Sequence, residues 1–175
     1  MSNNGNSHTI LDYRIFRDMV IASSAALALE VTASPKPGNI HRFRDAIDTR
    51  FEHFIISAFA IIPVMNEAIR RGYLLSLHVL SYSSVGIGFL VYDGVKSARS
   101  WHKGGNTNLG TMTLMVPLVV AVSAVLNDYE EIYYEKICGI IRKLIEDSTE
   151  DDAIYFYKAI RIANSNAIIT FLFIS

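Results

Sequence analysis

Cysteine is almost absent from this chain: Cys138 stands alone among 175 residues. A lone cysteine excludes an intramolecular disulfide and suits a reducing compartment, so the expected location is cytoplasmic. Cys138 sits within an apolar helical pattern and is expected to fill the core. Positive charge is not in excess either. Sixteen Lys and Arg stand against seventeen Asp and Glu, a formal net charge of -1. A nucleic-acid binder usually carries a strongly basic face, so no nucleic-acid partner is expected. The opening MSNNGNSHT is polar and lacks the apolar stretch of a secretory signal. Alternating strand patterns, repeats and low-complexity tracts are also missing.

Helical spacing fills the space left by these absences. Residues 1–12 read as a polar tail, and residues 13–175 as a single all-α domain of several helices, with buried apolar helices at its centre. The first helix, Tyr13 to Thr32, carries Ile15, Met19, Ala22, Ala26 and Leu29 on one stripe. A second begins after a Thr49-x-x-Glu52 capping box, with an N-cap at Asp48 or Thr49. It repeats Phe51, Phe54, Ile55, Ala58, Phe59 and Ile62, kinks at Pro63 and stops at Gly72 after Arg70 and Arg71. A third apolar stretch, Leu74 to about Arg99, is expected to break near Gly86. Further helices cover about Asn108–Leu126 and Glu130–Glu146, and a last one starts near Asp151.

Two segments free of Asp, Glu, Lys and Arg, Tyr73–Tyr92 and Leu109–Asn127, approach the roughly 20 residues of a membrane span. The first is diluted by His78, Gly86, Gly88 and serines, and the second holds Pro117. Neither has strong aromatic or positively charged flanks. Burial inside a helical protein is the expectation, with no membrane partner; a helical membrane protein is the alternative.

Polar chemistry gathers in two loops. SPKPGNIHRFRD, residues 34–45, stiffens the chain with Pro35 and Pro37 and frees it at Gly38. It then presents Lys36, Asn39, His41, Arg42, Arg44, Asp45 and, just beyond, Asp48. Taken alone, the segment also reads as a solvated connector between helices. KGGNTNLGT, residues 103–111, opens backbone N–H groups at Gly104 and Gly105. Asn106, Thr107 and Asn108 follow where a helix begins, a place suited to anions. An Asn or Thr cap explains one of these residues, and the spacing is not that of a P-loop. Glu30 ends the first helix, where the dipole disfavours a carboxylate; a structural ion pair would explain it.

Taken together, Glu30, SPKPGNIHRFRDAID, Phe51, Phe54, Ser57 and GGNTNLGT before an apolar helix resemble the triphosphoribosyl-dephospho-CoA synthase family. The resemblance covers about residues 15–163 and agrees with an all-helical fold. It implies transfer of the 5-triphosphoribosyl group of ATP to the ribose 2′-hydroxyl of 3′-dephospho-CoA, with adenine released. It further implies ATP and Mg²⁺ at the site. Glu30, Asp45, Asp48 and His41 become the catalytic candidates, with Glu30 and Asp48 as metal ligands. Lys36, Gly38, Asn39, Arg42, Arg44, Gly104, Gly105, Asn106, Thr107 and Asn108 become the nucleotide-binding set. The chain departs from the family in having His41 where better-known members have an aspartate. The family pattern is also expected to continue where IRIANSNAIITFLFIS runs apolar, as in a shortened copy. Such a copy would expose helix faces and favour homo-oligomers, and a non-catalytic nucleotide-binding remnant is the alternative function.

Overall fold

The computed structural model describes residues 13–128 and 133–164. Among them are seven α-helices and no strand: α1 (Tyr13–Thr32), α2 (Phe51–Ala60), α3 (Ile62–Ser76), α4 (Ile87–Trp101), α5 (Leu109–Asp128), α6 (Tyr134–Glu146) and α7 (Glu150–Ala163). The expected all-α fold is the observed one. The polar tail 1–12, the start of the fifth expected helix and the run beyond residue 164 lie outside the described residues.

One apolar cluster joins the helices. Leu27 of α1, Met65 and Ile69 of α3, Leu90 and Val95 of α4, Met112 and Val116 of α5 and Ala159 of α7 all belong to it. Close approach is set by glycine at two contacts. A Cβ on Gly72 would collide with the Val120 carbonyl, and one on Gly88 with the Asp152 carbonyl. Ser123 Oγ donates to the Ile69 carbonyl at 2.7 Å, so even the buried hydroxyl between α3 and α5 is satisfied. Among the described residues α5 is the single helix long and apolar enough by itself to span a membrane, and the bent pair α2 and α3 passes the same test jointly, yet half of Leu109–Asn127 is buried inside the protein. That burial is what a central core helix requires.

Four expectations need correction. Gly72 does not stop a helix; α3 runs on to Ser76, and the glycine instead lets α5 come close. The bend expected at Pro63 is present, at 42°, but it divides the expected single helix into α2 and α3, with Pro63 in the first turn of α3; a proline is tolerated in a first turn because its missing N–H has no partner there. The stripe on α1 is displaced: Ser23, Leu27 and Val31 are buried, while Leu29 is 65% exposed. Between residues 19 and 29 nearly every residue is small or apolar, so nothing polar fixes the phase. Ser23 can be buried because its hydroxyl donates to the Met19 carbonyl at 2.7 Å. Cys138, expected in the core, is exposed; α6 buries Ile137 and Leu144 instead.

The break expected near Gly86 does occur. Gly86 takes φ +67° and begins α4 after a short 3-10 turn, Tyr82–Ser84. Arg71 holds this connection, donating to the Val85 carbonyl at 2.6 Å and to Glu67 at 2.7 Å.

Candidate functional site at the seam of two loops

The bend between α1 and α2 is fixed locally. Gly38 has φ +78°, closing a turn in which Asn39 N donates to the Lys36 carbonyl at 3.1 Å. His41 and Arg44 exchange backbone hydrogen bonds of 3.1 and 2.9 Å, a two-residue bridge. That bridge leaves the side chains of Arg42 and Arg44 exposed. Among the described residues neither forms an ion pair. Lys36 is ion-paired to Glu30 across the turn, so the carboxylate at the end of α1 is answered by a lysine.

The bend and the second loop interlock. Gly105 N donates to Thr49 Oγ1 at 2.8 Å and to the Asp48 carbonyl at 3.3 Å. Thr49 Oγ1 in turn donates to Asp48 Oδ1 at 2.9 Å. A Cβ on Gly105 would crowd Thr49 and Asp48, and one on Gly104 would strike the His53 ring. Both glycines are needed because two chain segments and a ring converge there. Thr49 is thus a link between loops rather than the expected cap of α2. The start of α2 is held by Asp45 Oδ1, which accepts from Phe51 N at 2.9 Å, and by His53 Nδ1, which accepts from Arg50 N at 3.1 Å.

Beneath this seam lies a buried polar knot. Ser57 on α2 is fully buried and its Oγ meets three groups: the His53 carbonyl at 2.7 Å, Thr107 Oγ1 at 2.7 Å and His102 Nε2 at 3.1 Å. His102 Nδ1 accepts from Gly104 N at 3.1 Å, which places its proton on Nε2. Its ring stacks on His53 with centroids 4.8 Å apart. Burial is the main force on His102, with His53 and Arg99 adding to it; together they push its pKa down to about 4. The ring is therefore neutral at pH 7. The Ser57 proton goes to the His53 carbonyl, and its lone pairs accept from His102 and Thr107. This is no serine nucleophile with a histidine base, because His102 Nε2 already carries its proton.

The second loop spends its donors inward. Thr107 is turned into the knot, and buried Asn108 donates to the Gly94 carbonyl at 3.3 Å. Asn106 Oδ1 accepts from Asn108 N and Leu109 N at 3.2 and 3.0 Å, so it caps α5. Around the seam, Arg42, Arg44, Arg50, Lys103, Asn39, Asp48 and Asn106 are exposed. Among the described residues no group of three or more His, Cys, Asp or Glu forms a metal cluster. A cavity of about 380 Å³ between α3, α6 and the 3-10 turn includes no residue of either loop.

The sequence reading did not single out His53 or His102 and valued Ser57 only for resemblance. A histidine just ahead of a Gly-Gly pair was the available signal: the absent side chains let a second ring, His53, and the Asp48–Thr49 segment close in behind it.

Residues 17–170 match a family model described as ATP:dephospho-CoA triphosphoribosyl transferase. No curated protein and no solved structure gives a significant match.

Proposed function

The chain belongs to the ATP:dephospho-CoA triphosphoribosyl transferase family, and from that premise we propose that it moves the 5-triphosphoribosyl group of ATP to the ribose 2′-hydroxyl of 3′-dephospho-CoA. The observation that carries this reading is the interlock of Asp48 and Thr49 with Gly105. It draws the arginine-bearing bend and the head of α5 into one seam, where a polyphosphate would find cations and neutral donors side by side.

The acceptor hydroxyl attacks the anomeric carbon of the ATP ribose, the bond to adenine breaks, and adenine leaves with a proton. The sugar passes through an oxocarbenium-like state that a nearby carboxylate stabilises. Asp48 suits that role and the removal of the hydroxyl proton. Its Oδ1 is engaged by Thr49, and its other oxygen has no hydrogen-bond partner among the described residues. Asp45 is occupied by α2 and serves as a structural cap. His41 Nδ1 accepts from Phe43 N at 3.3 Å, which supports a role in shaping the bend. Arg42 and Arg44 supply charge-assisted, bidentate contacts to the triphosphate. Mg²⁺ would be held by phosphate oxygens and one carboxylate: Glu30, whose Oε1 is ion-paired to Lys36, or Asp48, whose free oxygen would then not serve as the base; the ion would neutralise triphosphate charge.

The test is chromatographic detection of adenine from ATP and 3′-dephospho-CoA. Asp48→Asn should lower the rate by about 10²- to 10⁴-fold with an unchanged melting temperature. A mutant as active as the parent removes Asp48 from the site. One observation favours the second reading, a non-catalytic nucleotide-binding remnant: Gly104, Gly105, Thr107 and Asn108 all spend hydrogen-bonding groups on the protein itself. That reading predicts ATP binding with no adenine released.

A further inference from the structure

We propose that the apolar groove on the outer side of α2 and α4 receives the pantetheine arm of the acceptor. The proposal rests on the reading above, in which 3′-dephospho-CoA is that acceptor. The groove encloses about 370 Å³ and is lined by Ile56, Phe59, Ala60, Pro63, Ser97 and Trp101. Phe59 is 65% exposed and Trp101 71%. Two large rings left facing water beside a concavity mark a surface built to be covered.

Position identifies the occupant. Ile56 is the chain neighbour of Ser57, and Trp101 that of His102, whose side chains meet at 3.1 Å. The groove and the buried knot are therefore two sides of one wall. Along α2, Ile56 stands five positions after Phe51, where the bend ends, a rise of about 7–8 Å. On the other wall, Trp101 stands two residues before Lys103. A ligand lying here has one end at the cationic seam and the other on apolar surface. Dephospho-CoA has that polarity: an adenosine and diphosphate head, then an arm of methyl and methylene groups broken by two amides. ATP has no such arm. A second apolar groove of about 310 Å³, between α1 and α2, shares Phe59. The apolar track thus continues beyond the first groove, which suits an extended chain better than a single ring. Ser97 offers a hydroxyl to an amide along the way.

Trp101 is the chain's single tryptophan, so its emission reports on the groove directly. The full chain is titrated with 3′-dephospho-CoA, 4′-phosphopantetheine and ATP. The first two should change the emission and saturate, and ATP should not. By calorimetry, Trp101→Ala should weaken 3′-dephospho-CoA by about tenfold or more while ATP stays within about twofold. Trp101 is exposed, and melting curves check that the substitution leaves the fold intact. AMP, an acceptor that keeps the ribose hydroxyl and lacks the arm, separates the two readings. If AMP supports adenine release as well as 3′-dephospho-CoA does, and Trp101→Ala changes nothing, the arm proposal is overturned while the transferase stands. If no acceptor releases adenine but 3′-dephospho-CoA and 4′-phosphopantetheine still bind through Trp101, the transferase reading falls and the groove stands. A Trp101-dependent dimer with unaltered 3′-dephospho-CoA binding gives the groove to a second copy and overturns the proposal.

Discussion

Removing Ser57 Oγ should cost more than removing its partner's hydroxyl, although each change deletes a single oxygen. In Ser57→Ala, the His102 Nε2–H can fall back on Thr107 Oγ1, 3.3 Å away. The Thr107 proton then has no acceptor inside a fully buried site. One orphaned donor costs about 1–3 kcal/mol. In Thr107→Val, Ser57 Oγ still accepts from His102 and donates to the His53 carbonyl, so no donor is stranded. The loss is one neutral hydrogen bond, about 0.5–1.5 kcal/mol. The double mutant deletes the stranded hydroxyl but leaves His102 Nε2–H without a partner. It should again cost only about 2 kcal/mol, less than the sum of the single changes by about 1 kcal/mol, a coupling of the size seen between residues in one network. Urea unfolding followed by circular dichroism measures all three. In a chain of this size each kcal/mol should also move the melting temperature by about 2–4 °C. Thr107→Val costing as much as Ser57→Ala would refute the assignment of donors and acceptors, and strictly additive losses would refute the knot as a coupled unit.

Two further outcomes follow from the packing and the charges. Gly88→Ala should destabilise by about 1–3 kcal/mol or more, because its Cβ meets the Asp152 backbone, which cannot step aside. Gly94→Ala should cost visibly less, since there the obstacle is the flexible end of Met112; thermal unfolding of both variants decides it. Stability should also fall in two stages on acidification. His102 has a folded pKa of about 4 against an ordinary 6.5, so its contribution is complete above about 6.5 and is withdrawn as the pH falls toward 4. Glu67, held near 2 chiefly by the Arg70 hydrogen bond, contributes fully above about 4.5 and loses its share as the pH falls toward 2. Melting temperatures from pH 8 to 2 should show His102→Gln losing the first stage and keeping the second; an unchanged first stage would remove His102 as its cause.

The helices were largely legible because their apolar residues recur at helical spacing between polar breaks, as in α6 and α7. The phase of α1 was not, since Ala22, Ala26 and Leu29 look as apolar as the residues that are buried. Gly72 was misread for a related reason: a glycine that ends a helix and one that admits a neighbour are the same letter, and only the Val120 carbonyl tells them apart. Both polar loops were found from composition. Their division of labour was not, because it depends on where each donor points. Thr107 and Asn108 turn inward, Asn106 turns onto its own helix, and Thr49 ties the loops instead of capping α2. His53 and His102 escaped notice because a stacked pair formed across 49 positions of sequence leaves no local pattern.

The head of α5 is a guarded socket. Asn106 Oδ1 already occupies two of the N–H groups there, Asn108 N and Leu109 N, that an arriving phosphate would seek. Binding at this point is then an exchange, in which a neutral amide is evicted by a charged oxygen. The net gain is the difference between two sets of hydrogen bonds, with the charged set roughly twice as strong. Weak anions would be turned away by the side chain in residence, and only a ligand anchored elsewhere, through Arg42 and Arg44, would displace it. The free and the loaded protein would then differ by one side-chain rotation at the helix head, with the seven helices left where they stand.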